Sequence, residues 1–179
     1  VAWGNCQANA GINHCHAPCR QQQNPPTQEF LGALTLGWIL NPSNLNEVEG
    51  LMEEGLRRGY QNFNIKIVPD LNFDIALAKA VRRRSSNSFP WVDANGGYDP
   101  KTALKAGPRL ADAGGDILEA PVKPNQISSY QVLRKQGALP ILMDEGVVSP
   151  VDLHEFKHFD GVAMKHSQCG RLLSSKASD

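Results

Sequence analysis

A chain of 179 residues is long enough to bury one sizeable core and falls in the range of a single domain. Apolar residues make up 41% and charged residues 20%, and the 18 Lys plus Arg balance the 18 Asp plus Glu, so nothing in the charge supports a nucleic acid or anionic membrane partner. No stretch approaches the roughly 18 to 20 consecutive apolar residues that span a bilayer, and four cysteines in a chain of this size need no disulfide framework, so a reducing, cytoplasmic compartment is expected. Val1 is neither an initiator methionine nor the basic head of a signal peptide, which suggests that the natural N-terminus lies upstream.

Residues 1–28 are the least regular part: Gly, Asn, Gln and Pro recur with neither apolar period, so they read as loop or extended tail. Within them His14, Cys15, His16 and Cys19, with Cys6 nearby, could supply zinc ligands. Their adjacency is unlike the usual spacing of zinc ligands, and ordinary surface or partly buried residues are the simpler reading.

The first strand is expected over Phe30 to Leu40, ended by Asn41 and Pro42. Asn44 to Arg58 then carries Leu45, Val48, Leu51, Met52 and Leu56 at helical spacing, and Gly59 closes that helix. Asn62 to Val68 alternates as a second strand. With Phe63, Ile65 and Ile67 on one face, Asn64 and Lys66 point together to the other. A helix over Leu71 to Arg84 has Ile75, Leu77, Ala78 and Val81 as its inner stripe, and the run Arg82, Arg83, Arg84 suits a solvated C-terminal turn.

Phe89 to Asp93 is the third strand, followed by a Gly-rich loop in which Asp99 and Pro100 read as N-cap and first helical residue. The helix over 100–113 contains Gly107 and Pro108, which predict a kink, and Gly114 and Gly115 stop it. A very short strand ends at Glu119, a helix runs from Asn125 to Lys135, and Ile141 to Asp144 forms the fifth strand. Pro150 to Phe156 reads as a short helix; His154 and His158, four apart, fit a surface pair better than a metal site. A sixth strand ends in Lys165.

Lys66, Asp93, Glu119, Asp144 and Lys165 each end a short apolar run, at intervals of 27, 26, 25 and 21 residues. Such an interval is the length of one strand plus one crossover helix. The repeat predicts an α/β chain of parallel strands with charged residues at the strand ends where ligands bind in this architecture. A closed eight-unit barrel needs about 250 residues, so the chain reads as about two units short. If its first strand is strand one of eight, Lys66 and Lys165 face each other across the mouth, with the three carboxylates contiguous along one wall.

Three convergent carboxylates repel, and a divalent ion relieves the repulsion. Ligation by oxygen alone points to Mg²⁺, with Mn²⁺ as a substitute. A small carboxylate substrate held there would gain negative charge on losing its α-proton, and opposed lysines could remove a proton from one side and return one to the other. Each residue also has a plainer reading, as a solvated strand-end carboxylate or a snorkelling lysine.

The segments NIKIVPD, WVDANGGYD, DILEAPVKP, LPILMDEGV and FDGVAMKHSQCG, in that order over roughly residues 31–173, resemble the barrel motifs of the enolase superfamily. The likeness is strongest to its muconate-cycloisomerase-like branch, the mandelate racemase/muconate lactonizing enzyme family. The resemblance implies a (β/α)8 TIM-type barrel, here incomplete with about six βα units over 29–179, and residues 1–28 as a remnant of a capping domain. It implies Asp93, Glu119 and Asp144 as Mg²⁺ ligands, Lys66 and Lys165 as the acid/base pair, and Asn95 and Glu145 as supports of the metal end. The implied activity is that of an isomerase or lyase working through an enediolate.

Asn64 stands where this family usually has a second lysine; it is expected to hold Lys66 by a hydrogen bond, with weaker or one-sided base activity. Cys169-Gly170 replaces a usual Gly-Gly. The alternatives are an acid-sugar dehydratase of the same superfamily, or a truncated non-catalytic paralogue that binds a metal or a partner. Exposed edges of a broken barrel also make a homo-oligomer an expectation.

Overall fold

The computed structural model describes residues 36–68, 70–144, 146–147, 158–163 and 165. Six parallel strands lie in sequence order, β1 (Gly37–Leu40), β2 (Asn62–Lys66), β3 (Phe89–Asp93), β4 (Ile117–Glu119), β5 (Ile141–Met143) and β6 (Gly161–Val162). Among the described residues the α-helices are α1 (Val48–Arg57), α2 (Leu71–Arg84), α3 (Pro100–Asp112) and α4 (Ile127–Gln136), and the short helix expected over Pro150 to Phe156 lies outside them. Each follows the strand of the same number, so the predicted βα repeat is present. None of these helices is long and apolar enough to cross a membrane, among the described residues.

Local chemistry sets the boundaries. Asp70 caps α2 by accepting from the backbone N–H of Asn72 at 3.1 Å and of Phe73 at 3.3 Å. Asp99 caps α3 as expected, accepting from Lys101 N at 2.9 Å and Thr102 N at 3.1 Å, with Pro100 pre-set for the first turn. Leu45–Glu47 is a 3₁₀ turn that leads into α1, so the helix expected from Asn44 begins later. Helix α4 begins at Ile127 because Gln126 N bonds Lys123 O at 3.0 Å in a preceding turn. Strand β2 stops at Lys66, two residues short of expectation, because Val68 N turns away to the carboxylate of Asp74 at 3.0 Å. Only Gly37–Leu40 of the first expected strand is described as strand; residues 30–35 lie outside the described residues.

Gly107 and Pro108 lie inside α3, which runs unbroken around them from Pro100 to Asp112. Pro108 has no N–H to give to Leu104 O, four residues back. The side-chain amide of Gln136, on α4, donates to that oxygen instead at 3.0 Å. A Cβ on Gly107 would lie 3.0 Å from Gln136 Oε1 and 3.4 Å from Ala138 Cβ, so the glycine is a notch for the neighbouring helix.

The sheet separates two apolar layers. Phe63, Ile65, Val92 and Leu118 pack with Leu77, Ala78, Val81, Ala103, Ala106 and Leu110 of the helices into the main core. The opposite face carries Trp91, Ile117, Leu142 and Ala163, with Phe89 against them. Strand alternation assigns Asn64, Lys66, Asp93 and Glu119 to this second face.

Candidate active site

Every strand is parallel, so the residues that end them share one rim. Lys66 is in register with Asp93, and Asp93 with Glu119. Glu119 pairs with Leu142, and Asp144 stands two residues beyond it on the same face. The charged row is therefore staggered along the sheet, as strands in a barrel are.

The ammonium of Lys66 is paired with Asp93 Oδ2, and that of Lys165 with Asp144 Oδ2. Asp93 also accepts from Asn95, whose backbone N–H reaches Oδ1 at 2.8 Å and whose side-chain amide reaches Oδ2 at 3.2 Å. Asn95 can do both because the loop turns it to φ 45°, a left-handed conformation that asparagine tolerates. Gly96 N then bonds Ala120 O at 2.7 Å, tying this loop to the one that follows Glu119.

Glu119 lies between the two ion pairs and is 2% exposed. Its Oε2 has no hydrogen-bond partner. Burial first, then the charges of Asp93 and Asp144, push its carboxyl up to about 8, against the opposing pull of Lys66 and Lys165. Ala120, directly after it, is turned to φ 40°, a conformation that an alanine before a proline rarely adopts. Nothing in the sequence signals this turn.

The structure thus brings Lys66, Asp93, Glu119, Asp144 and Lys165 onto one rim and places Asn95 under Asp93. Asn64 does not hold Lys66: the lysine is drawn to the carboxylate directly across the register, a stronger partner than a neutral amide. Asn64 is 4% exposed, and neither polar atom of its side chain has a hydrogen-bond partner. Glu145 lies outside the described residues, as do the cysteines and histidines of residues 1–28 and His154; the ring of His158 meets Gln131 at 3.1 Å.

Three buried carboxylates, one with an unpartnered oxygen, form a donor set suited to a hard divalent cation. As placed, however, no three Asp, Glu, His or Cys side chains among the described residues form a ready metal cluster. Two of the three carboxylates are turned to lysines.

Sequence reasoning missed Asp74. It is fully buried in the first turn of α2, where an acidic residue ordinarily reads as a solvated helix-dipole partner. Its oxygens accept from Val68 N at 3.0 Å and from the hydroxyl of Tyr98 at 2.6 Å. Tyr98 N in turn bonds Pro121 O at 3.3 Å, so one buried pair joins the loops after β2, β3 and β4.

Residues 47–177 match the family described as Enolase C-terminal domain-like. The chain is 29% identical over 142 residues to N-succinyl-L-Arg/Lys racemase of Bacillus cereus, covering 75% of this chain and 37% of that protein. It is 33% identical over 88 residues to muconate cycloisomerase 1 of Rhodococcus opacus, covering 48% and 24%. Among solved structures, a dipeptide epimerase from Enterococcus faecalis superposes with a TM-score of 0.69 at 25% identity, over 78% of this chain and 42% of that one. The chain therefore spans less than half the length of the relatives it matches. On the motifs, the parallel βα order and this match over most of its length, the chain belongs to the enolase C-terminal domain-like family.

Proposed function

We propose that this chain carries the proton-transfer site of an isomerase or lyase that removes the hydrogen α to a carboxylate with the help of Mg²⁺. The observation that supports it is the row of three buried carboxylates bracketed by two lysines on the rim of parallel strands. A divalent cation held by Asp93, Glu119 and Asp144 would offset the negative charge that builds on the substrate carboxylate as the proton leaves. Lys66 and Lys165, at the two ends of the row, are the groups that take and return that proton. Asn95 fixes the orientation of Asp93 through two hydrogen bonds. Trp91, Ile117 and Leu142 line the face below and exclude water from the floor.

The relatives include a racemase of N-succinylated amino acids and a dipeptide epimerase. A small N-acylated amino acid or a dipeptide is accordingly the substrate class proposed for this site. The test is to incubate the chain with such compounds and Mg²⁺ in heavy water and follow the α-proton by NMR. Exchange should appear and be lost in Lys66→Ala and in Lys165→Ala, while overall helicity is retained. Exchange that survives both substitutions would remove the lysines from the reaction, and exchange with no dependence on Mg²⁺ would remove the metal.

A further inference from the structure

Lys66 and Lys165 stand in this structure as counter-ions. Each donates to the oxygen of a carboxylate that the metal reading assigns to a cation, Lys66 to Asp93 and Lys165 to Asp144. We infer that the two ammonium groups and a divalent cation compete for these oxygens, so that cation entry releases both lysines toward the mouth of the site. This inference rests on the metal reading of the rim and adds an order of events to it: cation first, then free lysines, then substrate.

Exposure sets the geometry of the exchange. The Asp93 and Asp144 side chains are 1% and 2% exposed, whereas their lysine partners are 23% and 31% exposed. The lysines therefore cap the carboxylates on the side from which a solvated ion arrives. On Asp93, Oδ1 is held by the Asn95 backbone and Oδ2 is shared between Asn95 and Lys66, so the lysine is the mobile partner of the set. Glu119 supplies the oxygen open to an arriving cation, since its Oε2 is buried without a hydrogen-bond partner.

Charge gives the driving force. Beside the three carboxylates stand two ammonium groups, one positive charge fewer than the carboxylates carry when all are ionised. A divalent cation more than makes up that deficit, and at contact distance it also repels both ammonium groups. The three carboxylates cannot keep the ion and both lysine pairs together. The same step that seats the cation frees the lysines as acid and base, so the pairing keeps the bases idle until the ion is in place.

The test uses the full chain and Mn²⁺ as the calorimetric probe. Lys66→Met and Lys165→Met, each checked for native circular dichroism, should bind Mn²⁺ about tenfold more tightly than the unchanged protein, the scale of removing one charge-assisted competitor. Lys66→Arg should bind as the unchanged protein does. Binding that is equal or weaker in both methionine variants overturns the exchange while leaving the metal site standing. No binding by any of these proteins at millimolar Mn²⁺ removes the metal reading, and the exchange with it.

A second measurement needs no substitution. Acetylation of lysines by acetic anhydride, read by peptide mass spectrometry, should accelerate at Lys66 and Lys165 when Mg²⁺ is added and stay constant at the exposed Lys79 and Lys101. Labelling of Lys66 and Lys165 that ignores Mg²⁺ overturns the exchange.

Discussion

The two rims of the sheet are built on opposite rules. At the N-terminal ends of β3 and β4, Arg82 spends its whole guanidinium on structure. Its Nε and Nη2 donate to Gly114 O at 3.0 and 2.7 Å, Nη1 donates to Ser86 O and Ser88 O at 2.9 Å each, and Nη2 also reaches Asp116 at 2.8 Å. Gly114 lets the arginine in: at φ 93° its backbone suits no ordinary side chain, and a Cβ there would lie 2.7 Å from Arg82 Cγ. At the C-terminal ends, three carboxylates crowd together, one has an unpartnered oxygen, and Asn64 beneath them has both polar atoms unpartnered. One end is saturated with partners and the other holds groups that call for them. In a parallel α/β architecture stability is invested at the first kind of rim and chemistry at the second.

The largest expected effect breaks the saturated rim. Arg82→Ala removes five hydrogen bonds and leaves loop carbonyls to find water, and it should cost about 3 kcal/mol of unfolding free energy in a urea titration. It should leave Mn²⁺ affinity unchanged, since every partner of Arg82 lies at the other end of the strands. A loss of metal binding as large as the loss of stability would dissolve the distinction between the rims.

Arg82 also marks where the sequence stops being readable. The helix ending in Arg82, Arg83 and Arg84 is legible from its apolar stripe and its cap, and the run reads as a solvated C-terminal turn. That holds for Arg84, which meets Glu49 at 2.6 Å in an exposed pair, and fails for Arg82. Its partners are more than 30 residues away in part, and their carbonyls are backbone groups that carry no sequence signature.

The charged rim was legible for a different reason. Lys66, Asp93, Glu119, Asp144 and Lys165 recur at the period of the βα unit, so counting alone aligned them. What counting could not give was their pairing: neither the choice of Asp93 over Asn64 by Lys66 nor the left-handed turns at Asn95 and Ala120 follows from spacing.

Asp74 tests the comparison from just behind the charged rim, with an effect that depends on pH. Burial raises its carboxyl from the ordinary 3.8 to about 6, outweighing the hydrogen bonds from Tyr98 and Val68, and the nearby Asp70 adds to the rise. Burial and the Asp74 carboxylate likewise push the Tyr98 hydroxyl upward. Because the folded chain holds the Asp74 proton more tightly than the unfolded chain, this group's stabilising contribution is full below about pH 4, is lost as pH rises to about 6, and stays lost above. The loss amounts to up to about 3 kcal/mol. Urea titrations from pH 4 to 7 should show that slope in the unchanged protein and a flatter one in Asp74→Asn. An unchanged slope in the variant would mean that another group carries the dependence.

The smallest expected effect sharpens the comparison in the helix layer, where even an unusual vacancy is filled. Pro108 deprives Leu104 O of its helical donor, and Gln136 supplies one from the next helix at 3.0 Å. Gln136→Ala should therefore cost about 1 kcal/mol, or somewhat less because water can reach the exposed carbonyl. In a Pro108→Ala background residue 108 regains its N–H and claims Leu104 O within the helix, so the same Gln136→Ala change should cost close to nothing. The difference between the two costs, measured as a double-mutant cycle by urea unfolding, isolates the compensation. A cost that is equal in both backgrounds would show that Gln136 stabilises the helix pair by packing alone. A cost that vanishes would show that the fold supplies a partner to the carbonyl that a proline strands, whereas the buried Oε2 of Glu119 is given none.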